Sequence, residues 1–296
     1  MPSKKKVLVV HTWGMGDIIL ATPMLKSLHL SGYSVDLVLF SWANQTVLQE
    51  NDFLHNIYVV KKWYEMIKFF KRYDYLISTA GVNPQKVKKL NLLVRAKAVY
   101  SGVQERDIHR IDMNLNIAKP LLKTITKEPY IYIKKSDEVV EKYLTAERNV
   151  GFAIGSGAKQ KFKRWDKFEE LIEKVDGNKL VFIGLDELDL EDRFKKYDVK
   201  IVKESLEDTI KIISKLDLLV GNDNGLMHIG YASGIDTITI YGMTNQKETG
   251  GYRQNNKAVF LEMDCRPCFD PTTDNIGCDT LDCLRDLSVQ NVLEKC

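Results

Sequence analysis

The chain has 296 residues, 44% of them apolar and 28% charged, with a formal net charge of +3. That length suits two domains of ordinary size, each with enough apolar residues for a core. So weak a positive balance gives no nucleic-acid footprint, and no run of 18 apolar residues is present to cross a bilayer.

Lys4-Lys5-Lys6 leads into Val7–Val10, a short apolar run that reads as a buried parallel strand. No signal-peptide core precedes it, so a cytoplasmic location is expected. His11-Thr12-Trp13-Gly14-Met15-Gly16-Asp17 follows, and then an apolar helix, Ile18–Leu30. Gly14 and Gly16 let the backbone pass close to a ligand or take positive φ. Asp17 falls at a helix start beyond the first strand, where open α/β sheets bind ligands. A helix cap would account for Asp17 but not for both glycines. The loop is not a dinucleotide fingerprint, because Gly16 is followed by Asp-Ile-Ile, and no Walker A lysine is present.

Further strands are expected at Val35–Phe40, Ile57–Val60, Tyr75–Ser78 and Ala98–Tyr100, with helices at Trp63–Arg72 and Gln85–Val94. Such alternation argues for a parallel sheet. Basic residues gather at Lys61-Lys62, Lys68 to Arg72 and Lys86 to Lys97. They read either as solvated helix faces or as attractors of an anionic acceptor or membrane surface. Lys119 to Asn149 holds Pro120, Pro129, a β-rich piece Tyr130–Ile133 and a charged helix Asp137–Glu147. The junction is placed near its end, giving domains 1–148 and 149–296. The pattern then restarts, with strands Val150–Ile154, Lys179–Ile183, Lys200–Val202, Leu216–Val220 and Thr237–Tyr241. Its helices are Trp165–Val175, Leu188–Lys196 and Leu206–Lys215, the last with a Ser205/Asp208 capping box. Two Rossmann-like α/β domains facing a cleft are expected.

The second half carries the phosphate-type features. Gly155-Ser156-Gly157-Ala158 follows its first strand, then Lys159, Lys161, Lys163, Arg164 and Trp165. A Gly/Ser loop offers N–H groups and a hydroxyl, and Lys163 at a helix start offers a compact cation for a diphosphate. Asp186 and Glu187 lie where a carboxylate accepts from a ribose hydroxyl, or serve as first-turn acids. Gly221-Asn222-Asp223-Asn224-Gly225-Leu226-Met227-His228 joins a strand to a helix. Such a turn aims free N–H groups and the helix dipole at an anion. Its plainer reading is a tight turn with Asp223 or Asn224 as N-cap. His11 and His228 fall in the two loops, whereas His29, His55 and His109 read as surface or packing residues. Cys265, Cys268, Cys278 and Cys283 are spaced C-x2-C-x9-C-x4-C, with Cys296 at the end. In a cytoplasmic chain such a cluster points to a structural zinc or iron, or to free thiols.

Together these segments resemble glycosyltransferase family 9, the heptosyltransferases of lipopolysaccharide assembly. The resemblance rests on Gly14-Met15-Gly16-Asp17, Gly155 to Ala158 with Lys163-Arg164-Trp165, Gly221 to His228, Tyr241-Gly242-Met243-Thr244, and the tail from Cys265-Arg266-Pro267-Cys268 through Cys283-Leu284-Arg285-Asp286. It implies a GT-B fold, an N-terminal acceptor domain and a C-terminal donor domain. The activity it implies is inverting transfer of a heptose from ADP-heptose to a glycolipid acceptor at the inner membrane face. Asp17 then matches the catalytic base, with Thr12, Gly14 and Gly16 in the acceptor loop. Ser156, Gly157, Lys163, Glu187, Asp223, Asn224, Gly225, Leu226 and His228 match the donor site, Glu187 only approximately. Asn224 stands where the family often has Ser or Thr. No Asp-x-Asp occurs, so no metal cofactor is expected for turnover. Alternatives are a related transferase acting on protein Ser/Thr and a non-catalytic nucleotide-sugar binder.

Overall fold

The computed structural model describes residues 4–40, 45–103, 105–270 and 275–296; the side chains of Ala158, Lys159 and Asp186 also lie outside the described residues. Contacts divide the chain into two units, Met1–Tyr132 and Ile133–Cys296.

In the first unit five parallel strands, β1 Lys6–His11, β2 Ser34–Phe40, β3 Asn56–Val60, β4 Tyr75–Ser78 and β5 Ala98–Tyr100, lie in the order β3-β2-β1-β4-β5. Val7–Val10 in central β1 are fully buried, which is why the strand reads as apolar without alternation. Helices α1 Met15–Leu30, α2 Pro84–Val94 and α3 Arg110–Ala118 cover the sheet. α1 begins three residues before the expected start, because Gly14 is its extended N-cap. α2 starts as its sequence dictates, with Pro84 in the first turn and Asn83 accepting from Gln85 N at 2.8 Å.

Three expectations change here. The helix expected over Trp63–Arg72 is a 3₁₀ helix that stops at Phe69, and Lys71 at φ +52° follows it. Tyr130–Ile133 joins no sheet. Instead Tyr130 N donates to Thr22 Oγ1 at 2.8 Å and Tyr132 N to Val47 O at 2.9 Å. α3 was not anticipated; its N-cap is His109, whose Nδ1 accepts from Ile111 N at 3.2 Å.

The second unit has six parallel strands, β6 Asn149–Ala153, β7 Asn178–Phe182, β8 Lys200–Val202, β9 Leu218–Asn222, β10 Asp236–Ile240 and β11 Asn256–Val259, in the order β11-β10-β9-β6-β7-β8. Its helices are α4 Glu138–Tyr143, α5 Phe168–Lys174, α6 Glu191–Phe194, α7 Leu206–Ile213, α8 Gly225–Ser233 and α9 Gln246–Thr249. α4 is shorter than the helix expected to Glu147, and the one expected over Leu188–Lys196 is a 3₁₀ turn, Leu185–Leu190, running into α6. α5 starts after Trp165 because that residue is an anchor. Its backbone N donates to Asn222 Oδ1 at 3.0 Å and its indole to Leu287 O at 3.1 Å.

The tail forms a small antiparallel hairpin, β12 Phe269–Asp270 with β13 Asn275–Ile276, and two short helices, α10 Asp282–Arg285 and α11 Val289–Leu293. Cys283, Leu284, Leu287, Val289 and Val292 enter the same core as Trp165 and Phe168. Burial of so many apolar side chains makes the tail part of the domain, since each contributes about 1.5–3 kcal/mol of transfer free energy.

Both sheets reverse direction once. Strand order runs outward one way from β1 through β2 and β3, and the other way through β4 and β5; β6 and β9 flank the same reversal in the second unit. Loops at the carboxyl ends of those strand pairs are where open α/β sheets hold ligands.

Candidate active site

The first-unit loop is built on β1 and β4. Asp17 lies in the first turn of α1, where the helix dipole favours a carboxylate. Its Oδ1 lies 3.6 Å from Nε of Arg110, a residue of α3 only 5% exposed. That is an ion-pair distance, too long for a hydrogen bond. Nε and Nη1 of Arg110 are buried without hydrogen-bond partners, as is Nε1 of Trp13. A Cβ placed on Gly81, which sits at φ +85°, would meet Trp13 Nε1 at 2.8 Å and Arg110 Nη1 at 3.0 Å. The two donors therefore converge above this glycine, beside Asp17. Unpaired buried donors are costly and uncommon. His11, at the end of β1, is fully buried, with Nδ1 3.0 Å from Thr79 Oγ1 and Nε2 3.3 Å from Gly14 O. Burial holds its pKa below the usual value, against the opposing pull of the Asp17 charge.

Gly14 has φ −74°, and Gly16 is not among the positive-φ residues, so neither glycine supplies the left-handed backbone that was one of the two expectations. A Cβ on Gly14 would meet nothing within 4 Å. Thr12, Gly14 and Gly16 are all partly exposed around this opening. Sequence reasoning missed Arg110 and Trp13 as members of the site. Trp13 sat within the quoted loop, but Arg110 is a lone arginine on an unanticipated helix and carried no signal.

In the second unit three loops meet at the carboxyl ends of β6, β9 and β10. Asn224 caps α8: its Oδ1 accepts from Leu226 N at 2.9 Å and Met227 N at 3.4 Å. Its amide donates to Ala153 O at 3.2 Å and Gly155 O at 2.9 Å. Two of the N–H groups expected to face an anion are thus taken by the cap, which leaves Gly225 as the first residue of the helix. Asn222 repeats the link one strand end earlier, donating to Ile154 O at 2.6 Å. These two asparagines fix the Gly155-Ser156-Gly157 loop against β9.

Around that loop, Lys163 Nζ lies 3.6 Å from Asp223 Oδ2, both side chains about nine-tenths buried, and 4.7 Å from the Phe269 ring. Ser156 Oγ is buried without a hydrogen-bond partner, and so is Thr244 Oγ1 in the loop after β10. Thr244 belongs to the Tyr241–Thr244 segment that carries the family resemblance, outside the residues matched to the donor site. Gly157 faces open space. Glu187 Oε2 accepts from Gly184 N at 3.0 Å, its Oε1 lies 3.8 Å from Arg164, and its carboxyl occupies the space a side chain at Gly155 would enter. His228 is buried in α8, edge-on to Tyr231 at 5.4 Å.

The four tail cysteines named as metal ligands from their spacing sit at different depths. Cys265 is exposed, Cys268 and Cys278 are half-buried and Cys283 is in the core. Among the described residues, no three His, Cys, Asp or Glu side chains are grouped as a metal ion would need. Burial pushes the Cys268 and Cys283 thiols up, with the other tail thiols nearby adding to the rise. Cys283 packs in the core, and its thiol lies within electrostatic reach of Cys265, Cys268 and Cys278. The tail is tied to the sheet loops by Arg266, which donates to Gly242 O, to Leu261 O at 2.9 Å and to Thr244 O at 3.1 Å.

Two Rossmann-like units, each with a polar site at its switch point, define a GT-B fold. The model of glycosyltransferase family 9 (heptosyltransferase) matches residues 103–277, and the chain belongs to that family. It is 31% identical over 106 residues to lipooligosaccharide heptosyltransferase 2 of Campylobacter jejuni subsp. jejuni serotype O:6, a stretch that covers 34% of this chain and about a third (33%) of that relative. Among solved structures it is similar to a family 9 glycosyl transferase from Veillonella parvula, with a TM-score of 0.82 and 20% identity over 100% of this chain and 97% of that one. It is also similar to the E. coli ADP-heptose lps heptosyltransferase II, with a TM-score of 0.73 and 16% identity over 98% and 97%. At those identities the likeness is one of fold.

Proposed function

We propose that the chain is an inverting, metal-independent heptosyltransferase that moves a heptose from ADP-heptose to a lipopolysaccharide core acceptor. The first unit binds the acceptor and the second the donor. The observation that carries this reading is the second-unit site. A lysine whose side chain is about nine-tenths buried, Lys163, shares a switch point with the unpartnered hydroxyls of Ser156 and Thr244 and the start of α8. A leaving diphosphate needs such fixed donors and a cation. Family membership and the ADP-heptose relative support the choice of donor.

In this mechanism the Asp17 carboxylate takes the proton of an acceptor hydroxyl as its oxygen attacks the anomeric carbon. A bond forms between that oxygen and carbon. The bond from the carbon to the diphosphate oxygen breaks, and ADP leaves with the electron pair. One displacement inverts the centre. Trp13 and Arg110 donate to acceptor oxygens beside the attacking hydroxyl. Lys163 leaves Asp223 for the diphosphate, joined by Ser156, the open backbone at Gly157 and the N-terminus of α8. Glu187 serves the ribose, and His228 supports α8 from within. No step passes through the tail cysteines or a metal. No helix among the described residues is long and apolar enough to cross a membrane, and the acceptor is met at the cytoplasmic face by peripheral contact.

Isothermal titration tests the donor assignment. ADP should bind better than UDP or GDP, and Lys163→Ala should weaken ADP by on the order of 1.5–3 kcal/mol, as expected for a charge-assisted hydrogen bond, while leaving adenosine unchanged. Equal losses for ADP and adenosine would remove Lys163 from the phosphate site, and a UDP preference would overturn the donor.

A further inference from the structure

Residues 61–72 belong to neither site, yet among the described residues they carry the largest apolar side chains exposed side by side. In the 3₁₀ helix Trp63–Phe69, side chains three apart fall in rows. Met66 and Phe69 form the inner row and are buried with Leu8, Val10 and Val60 in the first unit's core. The next row leaves Tyr64 57% and Ile67 53% exposed, and Phe70, just past the helix, 46% exposed. Trp63 is 63% exposed, its ring edge-on to Tyr64 at 6.2 Å. Single exposed apolar residues are ordinary, but a contiguous patch marks an interaction surface.

Basic side chains are interleaved with this patch. Lys61, Lys62, Lys68, Lys71 and Arg72 are all exposed. The segment's one acid, Glu65, accepts from the backbone N–H groups of Lys61 and Lys62 at 3.0 and 2.8 Å. Lys68 Nζ rides 5.2 Å above the Phe69 ring, and Lys71 Nζ 5.3 Å above that of Phe70. The helix α2, which packs against the same segment, adds exposed Lys86, Lys88 and Lys89.

We infer that this surface docks on an anionic lipid bilayer. Trp and Tyr are the residues that settle at the membrane–water interface. Lysines reach past them to headgroups while their stems cover apolar surface. A negative surface potential attracts each such cation. The centres of protein–protein interfaces are depleted in lysine, and here lysines lie directly on the aromatic rings. This surface would present the enzyme to a lipid-borne acceptor and rests on that part of the reading above. Vesicle binding needs neither donor nor turnover, so the two can fail separately.

The test is co-sedimentation of the full chain with phosphatidylcholine vesicles, with and without phosphatidylglycerol. Binding should require the anionic lipid, weaken with added salt, and shift Trp63 fluorescence to the blue. The combined change Trp63→Ser, Ile67→Ser and Phe70→Ser should reduce the partition coefficient at least about tenfold, since each removes buried apolar area. Lys61→Gln, Lys62→Gln and Lys68→Gln leave the apolar row intact and should each cost about fivefold. Equal binding to neutral vesicles, undiminished binding by either set of variants, or no vesicle binding at all would overturn the inference. So would a dimer in light scattering that the serine variant loses while vesicle binding is absent.

Discussion

His11 is an imidazole fully buried in the first unit, and its enclosure has a consequence for folding. Its pKa is lowered, chiefly by burial, from the ordinary 6.5. Below about pH 6.5 the unfolded chain binds a proton that the folded chain refuses. This contribution to stability is therefore fully present above that pH and is lost as pH falls toward the depressed value. Denaturant melts should show stability dropping on acidification below about pH 6.5, and His11→Gln should flatten that part of the profile. An unchanged slope in the variant would mean that His11 charges as freely when folded as when unfolded. At this scale sequence reading singles out, as candidates, residues in or beside glycine-bearing loops, namely Asp17, Ser156, Lys163 and Asp223. It could not find Arg110, because what singles that residue out is two buried donors converging with Trp13 above Gly81, a relation among residues far apart in the chain.

Asn224 governs how α8 meets the sheet. It caps the helix through Oδ1 and ties the β6 loop through Nδ2. Asn224→Ala should lower stability by about 1 kcal/mol or somewhat more, the usual cost of a lost N-cap. Asn224→Ser should restore the cap while leaving the loop at Gly155 less ordered. Thermal melts of both variants, with amide exchange at residues 153–157, would check this; equal melting of the alanine variant and the wild type would count against the capping role. The tail behaves as a packed element. Iodoacetamide should modify exposed Cys265 first and Cys283 last, because burial withdraws the Cys283 thiol and raises its pKa. Mass spectrometry of partial digests reads that order, and early modification of Cys283 would show that the tail opens. Elements were legible where an apolar run is buried on both faces, as in β1, β2 and β4. The 3₁₀ helix Trp63–Phe69, edge strand β11 and the short tail helices were not, because two or three turns of mixed polarity carry too little periodicity to distinguish them.

Across the whole molecule, the alternation of strands and helices predicted two parallel α/β halves, and the sheet orders bear that out. Strand order itself was not readable, because pairing depends on which apolar runs meet. The order nonetheless gives the two loops their meaning, since both fall at switch points. Division of labour follows from where the residues lie: the proposed base is in the first unit, and every proposed diphosphate contact comes after residue 150. Base and donor contacts should therefore separate on mutation. Replacing Asp17 by Asn keeps the size and shape of the side chain and removes its capacity to take a proton. Steady-state turnover with ADP-heptose and an acceptor, measured beside calorimetric ADP affinity, tests this most directly. The account predicts turnover lower by roughly 10²–10⁴-fold, the range for a general base, with ADP affinity unchanged. Wild-type turnover in Asp17→Asn, or a loss confined to ADP binding, would contradict it.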